Sequence, residues 1–192
     1  RKMSNKSREE IESFDAIVVG AGFAGLCMLH RLKQIGLSVK SFEVGTGVGG
    51  TWYWNRYPGA RCDVESWEYS YGFSEELEQE WNWSERYAAQ PEILSYLEHV
   101  AERFDLYDCI DFNTRVKSAT FDESETKWVI QTDQSEKRFT SKYCIMATGC
   151  LSSANIPKIE GFSDYQGKSF HTGNWPKEKI DFSKKKVGII GT

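Results

Sequence analysis

Three glycines spaced as Gly20-x-Gly22-x-x-Gly25, with Glu43 following 18 residues after the last, can hold a dinucleotide. Gly20 permits a tight turn, Gly22 lets backbone approach a pyrophosphate, and Gly25 lets a helix pack close to a strand. The helix that opens there offers free N–H groups and the positive end of its dipole to phosphates. Glu43, at a strand end, accepts hydrogen bonds from ribose hydroxyls, and its charge repels a 2′-phosphate. The first nucleotide is therefore FAD or NAD rather than NADP. A glycine-rich turn in an unrelated α/β fold is the competing reading; the strand, turn, helix and acid in sequence weigh against it.

Directly after the acid comes "VGTGVGGTWYWNRYPGARCD". Glycines at 45, 47, 49 and 50 let backbone approach a planar or charged ligand. Trp52, Tyr53 and Trp54 are either core aromatics or the wall of a flavin site, and their place after the ribose acid favours the wall. Asp63, taken alone, reads equally as a surface or helix-capping carboxylate. A second stretch, "YQGKSFHTGNWP" at 165–176, sets Gly167, His171 and Trp175 at four-residue intervals. Gly173 and Pro176 resist a helix there, so the spacing marks a connector.

The elements that must position these residues follow from hydrophobic pattern. Residues 15–20, "DAIVVG", form a buried parallel strand; 24–36 form a helix stopped at Gly36; 37–43 form a second strand. This β-α-β unit is expected to be parallel and right-handed. Residues 45–71 make a long ordered loop with short helical turns. Pro91 opens a helix with an apolar stripe at Ile93, Leu94, Leu97, Val100, Ala101 and Phe104. Residues 110–147 read as a small antiparallel meander returning into a buried strand at 143–147. "VGIIG" near the end repeats the strand-into-glycine form of 17–20. The expected fold class is α/β: a Rossmann-like dinucleotide-binding domain with a parallel sheet, a small antiparallel β meander, and the start of a second Rossmann-like dinucleotide-binding domain. The division is 1–14, a disordered or tag-derived terminus; 15–160, the first dinucleotide-binding domain; 161–183, the connector; and 184–192, the first strand of a truncated second one.

Composition narrows the function. At 192 residues, with 40% hydrophobic and 27% charged side chains, the chain can bury a substantial core in one or two domains. A net charge of −4 supplies no basic patch for nucleic acid. Residues 1–14 are too polar for a signal peptide, and the apolar run at 16–29 is too short and glycine-rich to span a bilayer. Five cysteines without a CxxC pair fit a reduced, cytoplasmic compartment. They speak against a disulfide framework, a zinc site or a flavin disulfide reductase. Three histidines make a His-based metal cluster unlikely, and no metal is expected.

"GAGFAG", Glu43, "GGTWYWNRYPGARCD", "MATG" at 146–149 and the 165–176 stretch together resemble the type I Baeyer–Villiger monooxygenases, over essentially the whole of 15–192. That resemblance implies a flavoprotein using FAD, NADPH and dioxygen to turn a small-molecule ketone into an ester or lactone, as a monomer or weak oligomer. It implies that the first domain is FAD-binding and the second NADP-binding, and that Gly20, Gly22, Ala24 and Gly25 hold the pyrophosphate and Glu43 the adenosine ribose. Gly50, Thr51, Trp52, Tyr53 and Trp54 would line the isoalloxazine side, with Arg61, Cys62, Asp63 and Tyr69 around flavin and nicotinamide. Val116 would meet the adenine by its backbone, and Gly149 and Cys150 would follow the return strand. Asp63 and His171 carry the catalytic assignment: Asp63 as the holder of an active-site arginine expected past Thr192, His171 through the fingerprint. The fingerprint departs from the family in beginning with Tyr165 rather than Phe. Rival readings are a flavin-containing monooxygenase acting on nitrogen or sulfur, an amine N-hydroxylase, and a bare FAD-binding module. His171 as a simple structural clasp stands beside its catalytic reading.

Overall fold

The computed structural model describes residues 11–134 and 136–191. Strand β1 (Ile11–Val19) starts four residues ahead of the pattern-based expectation, which had left Ile11–Phe14 outside the fold. The extension arises because β6 (Arg138–Met146) is nine residues long and pairs with all of β1, from Ile11↔Arg138 to Val19↔Met146. The rest of the expected terminus, 1–10, lies outside the described residues.

β1 also pairs in parallel with β2 (Val39–Phe42), and Ala16, Ile17 and Val18 lose all exposure between these two neighbours. Burial on both faces is what a central parallel strand requires, and the unbroken "AIVV" run answers it. Helix α1 (Phe23–Gln34) makes the crossover from β1 to β2, and Gly36 ends it at φ +79°.

The chain continues through a one-turn helix α2 (Thr51–Trp54), α3 (Glu75–Glu80), α4 (Gln90–Arg103), β3 (Ile110–Asp111), β4 (Val116–Asp122) and β5 (Lys127–Thr132) into β6. The six strands form one sheet in the order β3-β2-β1-β6-β5-β4. β4, β5 and β6 are the expected antiparallel meander. Ile110–Asp111 does not belong to it: this pair lies parallel to β2 on the opposite flank. α4 places Pro91 in its first turn, where no backbone N–H is missed. Residues 187–190, expected as a strand, form none, and Val187, Ile189 and Ile190 are exposed. A strand needs a neighbour's ladder, and among the described residues none pairs with this segment.

α1, α4 and the 60–83 region cover one sheet face, where Ala16, Val18, Leu26, Leu29, Leu97 and Val100 form the main core. The other face carries a smaller cluster of Ile17, Phe42, Ile130 and Phe139. His30 is buried within the main layer, stacked on Phe73 at 4.2 Å and edge-on to Phe104 at 4.4 Å, and its Nε2 has no hydrogen-bond partner among the described residues. Burial, aided by the Arg31 and Lys33 charges, holds its pKa below the ordinary 6.5. A histidine depressed in the folded state is protonated first in the unfolded chain, so stability is lost as pH falls below that value. Urea unfolding at about pH 7.5 and about pH 5 should show His30→Leu losing less stability on acidification than the parent. Equal losses would remove His30 from the acid response.

Candidate functional site

The C-terminal end of β1 runs into a turn that only glycines can build. A Cβ on Gly20 (φ +104°) would lie 2.5 Å from the Ala147 carbonyl oxygen, and one on Gly25 would overlap the Gly20 carbonyl. α1 therefore starts flush against the strand end. Its N-terminus has no side-chain cap, and Ala24 in the first turn is exposed. Uncapped N–H groups at the end of a buried helix are donors awaiting an anion, which suits a pyrophosphate.

Gly22 has a second duty. Its Cα faces Gly50, where an added Cβ at φ +52° would come within 2.8 Å of Gly22 Cα. Gly49 N–H donates to the Ala21 carbonyl at 2.9 Å, so the 49–50 turn rides directly on the 20–25 turn.

Glu43 stands just past β2 and is buried. Its Oε2 accepts from Ala21 N–H at 2.8 Å and its Oε1 from Gly45 N–H at 2.7 Å. The acid thus pins the glycine turn to the loop after β2, and each carboxylate oxygen keeps acceptor capacity for a ribose hydroxyl. The planar group beside Gly45 and Gly47 is the protein's own Tyr53 ring, which a Cβ at either would crowd, whereas a Cβ on Gly49 would meet Leu94 Cδ1 first and then the Tyr53 Cβ and backbone nitrogen. The Tyr53 hydroxyl accepts from Thr46 N–H at 3.1 Å and shares a 2.5 Å bond with Thr46 Oγ1. Burial opposes ionisation of this phenol, but the Thr46 bonds and the Lys177 charge prevail and set it below its ordinary value.

Trp52 is buried, its indole N–H donating to the Tyr69 hydroxyl at 3.1 Å, while the Gln90 amide binds the Trp52 carbonyl. Trp54 and Thr51 reach solvent to different degrees: Trp54 is exposed and Thr51 half-buried. Burial pushes the Tyr69 phenol up, the Trp52 bond opposes this, and the proximity of Cys62, Asp63 and Cys150 adds to it. Trp52 and Tyr69 are in direct contact, their ring centres 5.9 Å apart and edge-on, and Cys62, Asp63 and Cys150 lie close enough to act on the Tyr69 phenol by charge. Cys62 is buried, whereas Asp63, Gly149 and Cys150 are exposed. Arg61 points elsewhere, binding Glu85 and the Tyr87 carbonyl. Val116 packs against the smaller core cluster, two residues beyond Thr114, whose N–H binds the Glu43 carbonyl at 2.9 Å.

His171 caps a 3-10 turn at Thr172–Asn174. Its Nδ1 accepts from Gly173 N–H at 3.0 Å, and Nε2 lies 3.3 Å from the Asn155 carbonyl. The tautomer protonated on Nε2 satisfies both partners, so the ring ties 155 to 171–173. Among the described residues it meets no other hydrogen-bond partner, which favours the clasp. Tyr165 folds over Gly167, and Trp175 packs near Phe170 and Phe182. Trp175, Lys177 and Lys179 then face Arg56 and Pro58 across a cleft of about 260 Å³. Sequence reasoning missed Thr46, Gln90 and Lys177, because contacts of this kind leave no spacing signal.

A glycine turn, an uncapped helix start and an acid at the next strand end define a dinucleotide-binding α/β unit. The chain belongs to the pyridine nucleotide-disulphide oxidoreductase family, whose model matches residues 17–192. Its five cysteines are all free thiols, so the disulphide chemistry in that description has no counterpart pair here. The chain is 48% identical over 180 residues to phenazine N-monooxygenase PhzNO1 of Lysobacter antibioticus, covering 93% of this chain and 33% of that protein. It is 47% identical to a Baeyer-Villiger monooxygenase of Pseudooceanicola batsensis, with the same coverage. A solved oxidised steroid monooxygenase bound to NADP superposes with a TM-score of 0.87 at 56% identity, covering 94% of this chain and 34% of that one. The chain thus spans about a third of the length of these relatives.

Two substitutions test this geometry. Gly50→Ala should lower stability by about 1–3 kcal/mol through the clash with Gly22, read as a reduced urea midpoint; an unchanged midpoint would mean the turns separate freely. His171→Ala should speed tryptic cleavage after Lys158 by roughly threefold or more, whereas cleavage at the parent rate would deny the clasp.

Proposed function

We propose that the chain is the FAD-binding part of an NADPH-dependent flavoprotein monooxygenase whose reaction is Baeyer–Villiger oxidation of a ketone. Residues 11–160 form the FAD-binding domain, 161–183 the connector, and 184–192 the approach to an NADP-binding domain. The observation that carries the reading is the joined pair of glycine turns, 20–25 and 49–50, with Glu43 pinned between them and the aromatic loop immediately after.

The free N–H groups of α1 and the positive end of its dipole bind the pyrophosphate. Glu43 takes the adenosine ribose with its remaining acceptor sites. Trp52, held through its indole to Tyr69 and through its carbonyl to the Gln90 amide, gives the isoalloxazine a fixed wall together with Tyr69, with Cys62 and Asp63 alongside. FAD, when bound, supplies the electron and oxygen transfer, and NADPH the electrons. Asp63, exposed and without a hydrogen-bond partner among the described residues, is free to hold a cationic side chain from the NADP-binding part. Five free thiols suit a reducing compartment, and we place the protein in the cytoplasm.

Nitrogen oxygenation is the second reading, favoured by the 48% identity to a phenazine N-monooxygenase. Supplying the full-length protein with NADPH across panels of ketones, phenazines and amines, and identifying products by mass, separates the two. Ester or lactone formation is expected; N-oxide with no ester from any ketone would reverse the choice.

A further inference from the structure

Tyr53 lies between two parts of the chain that are far apart in sequence. On one side its hydroxyl holds Thr46 through the backbone N–H and Oγ1. Thr46 follows Gly45, whose own N–H holds Glu43 Oε1. On the other side Lys177 Nζ sits 6.0 Å from the centre of the Tyr53 ring, while the Arg56 guanidinium lies 4.9 Å from that centre and also binds the Tyr53 carbonyl. Lys177 belongs to the connector, just after Trp175 and Pro176, which share the cleft with Arg56 and Pro58.

We infer that Tyr53 is a positioning residue through which the connector, by way of Lys177, sets the Glu43 carboxylate for its nucleotide. This rests on the dinucleotide reading given above. The physical route is short. A cation beside the phenol raises the negative charge on its oxygen, which strengthens acceptance from Thr46 N–H. A firmly held Thr46 fixes the peptide that aims Gly45 N–H at Glu43. Gly45 and Gly47 flank the two edges of the ring and Gly49 sits against the Tyr53 Cβ and backbone nitrogen, which leaves the ring little room to turn, so a change at Lys177 acts on the hydroxyl rather than being absorbed by ring motion. Lys177 is exposed, and this is what separates a coupling role from a structural one: removing its charge leaves no cavity.

Calorimetric titration of the flavin-free full-length protein with FAD, and separately with ADP-ribose, tests the joint. Tyr53→Phe keeps the ring and should weaken both ligands about tenfold, and Lys177→Met about threefold, in line with the loss of the two Thr46 hydrogen bonds and of one polarising charge. The double variant should match Tyr53→Phe alone, and Lys177→Arg should restore the parent affinity. ADP-ribose lacks the isoalloxazine, so an equal loss on both ligands locates the effect at the ribose end. Thr46→Val removes the Oγ1 contact from the opposite side and takes the place of Tyr53→Phe in the cycle if that variant does not fold. Parental affinity in Lys177→Met, or additive losses in the double variant, would overturn the joint. Failure of the parent to bind either ligand would overturn the dinucleotide reading and the joint with it.

Discussion

A buried carboxylate is expensive unless charge-assisted hydrogen bonds meet it. Glu43 has two, from Ala21 and Gly45, and they fix more than the acid itself. Ala21 lies within the glycine turn after β1, and Gly45 starts the loop after β2. One side chain therefore sets the separation of the two strand ends that a dinucleotide must straddle. The Glu43 backbone is held as well, its N–H on the Asp111 carbonyl and its carbonyl on Thr114 N–H. β3 exists as a two-residue strand because this anchoring leaves it beside β2.

The same end of the sheet explains why so many glycines are needed within thirty-one residues. Gly25 must clear Gly20, Gly20 must clear Ala147, and Gly22 and Gly50 must clear each other. These are backbone-to-backbone approaches, so no rearrangement of a side chain can relieve an added Cβ. Tight stacking of three turns leaves the N–H groups at the start of α1 facing outward, uncovered by any cap. A surface of donors with no acceptor of its own is stable when an anion arrives, which ties the packing to the ligand.

Much of this was legible in the sequence. Gly20, Gly22, Gly25 and Glu43 occupy the places their spacing implies, and α1 and α4 fall within two residues of their expected limits. The acid's role was only half legible, since hydrogen bonding to Ala21 and Gly45 carries no pattern of residue types. Glycines 45, 47, 49 and 50 were read as letting backbone approach a ligand, and Gly45 and Gly47 also make room for the ring of Tyr53, a residue of the same motif that spacing alone does not point to. The displaced pair Ile110–Asp111 was missed because two residues cannot show alternation, and only tertiary pairing creates that strand. The strand expected near 187–190 had the right residue types but lacks a partner, and β structure is a property of pairs.

Oxygen-transferring flavin chemistry demands a dry site, and the described residues divide sharply on this point. Trp52, Tyr53 and Cys62 are buried, yet Asp63, Gly149 and Cys150 face solvent. From β6 onward the apolar side chains Met146, Leu151, Ile156, Phe162, Val187, Ile189 and Ile190 are also exposed. So many exposed apolar side chains in roughly one third of the chain are unusual for a surface meant to stay wet. The relatives carry about three times this length of chain, which is enough to cover such a face. On the proposed reading, the 20–50 region would hold the nucleotide through backbone donors and one acid. Water exclusion at the exposed Asp63 would be a separate task of other parts of the molecule, with the connector that carries His171, Trp175 and Lys177 lying between the two.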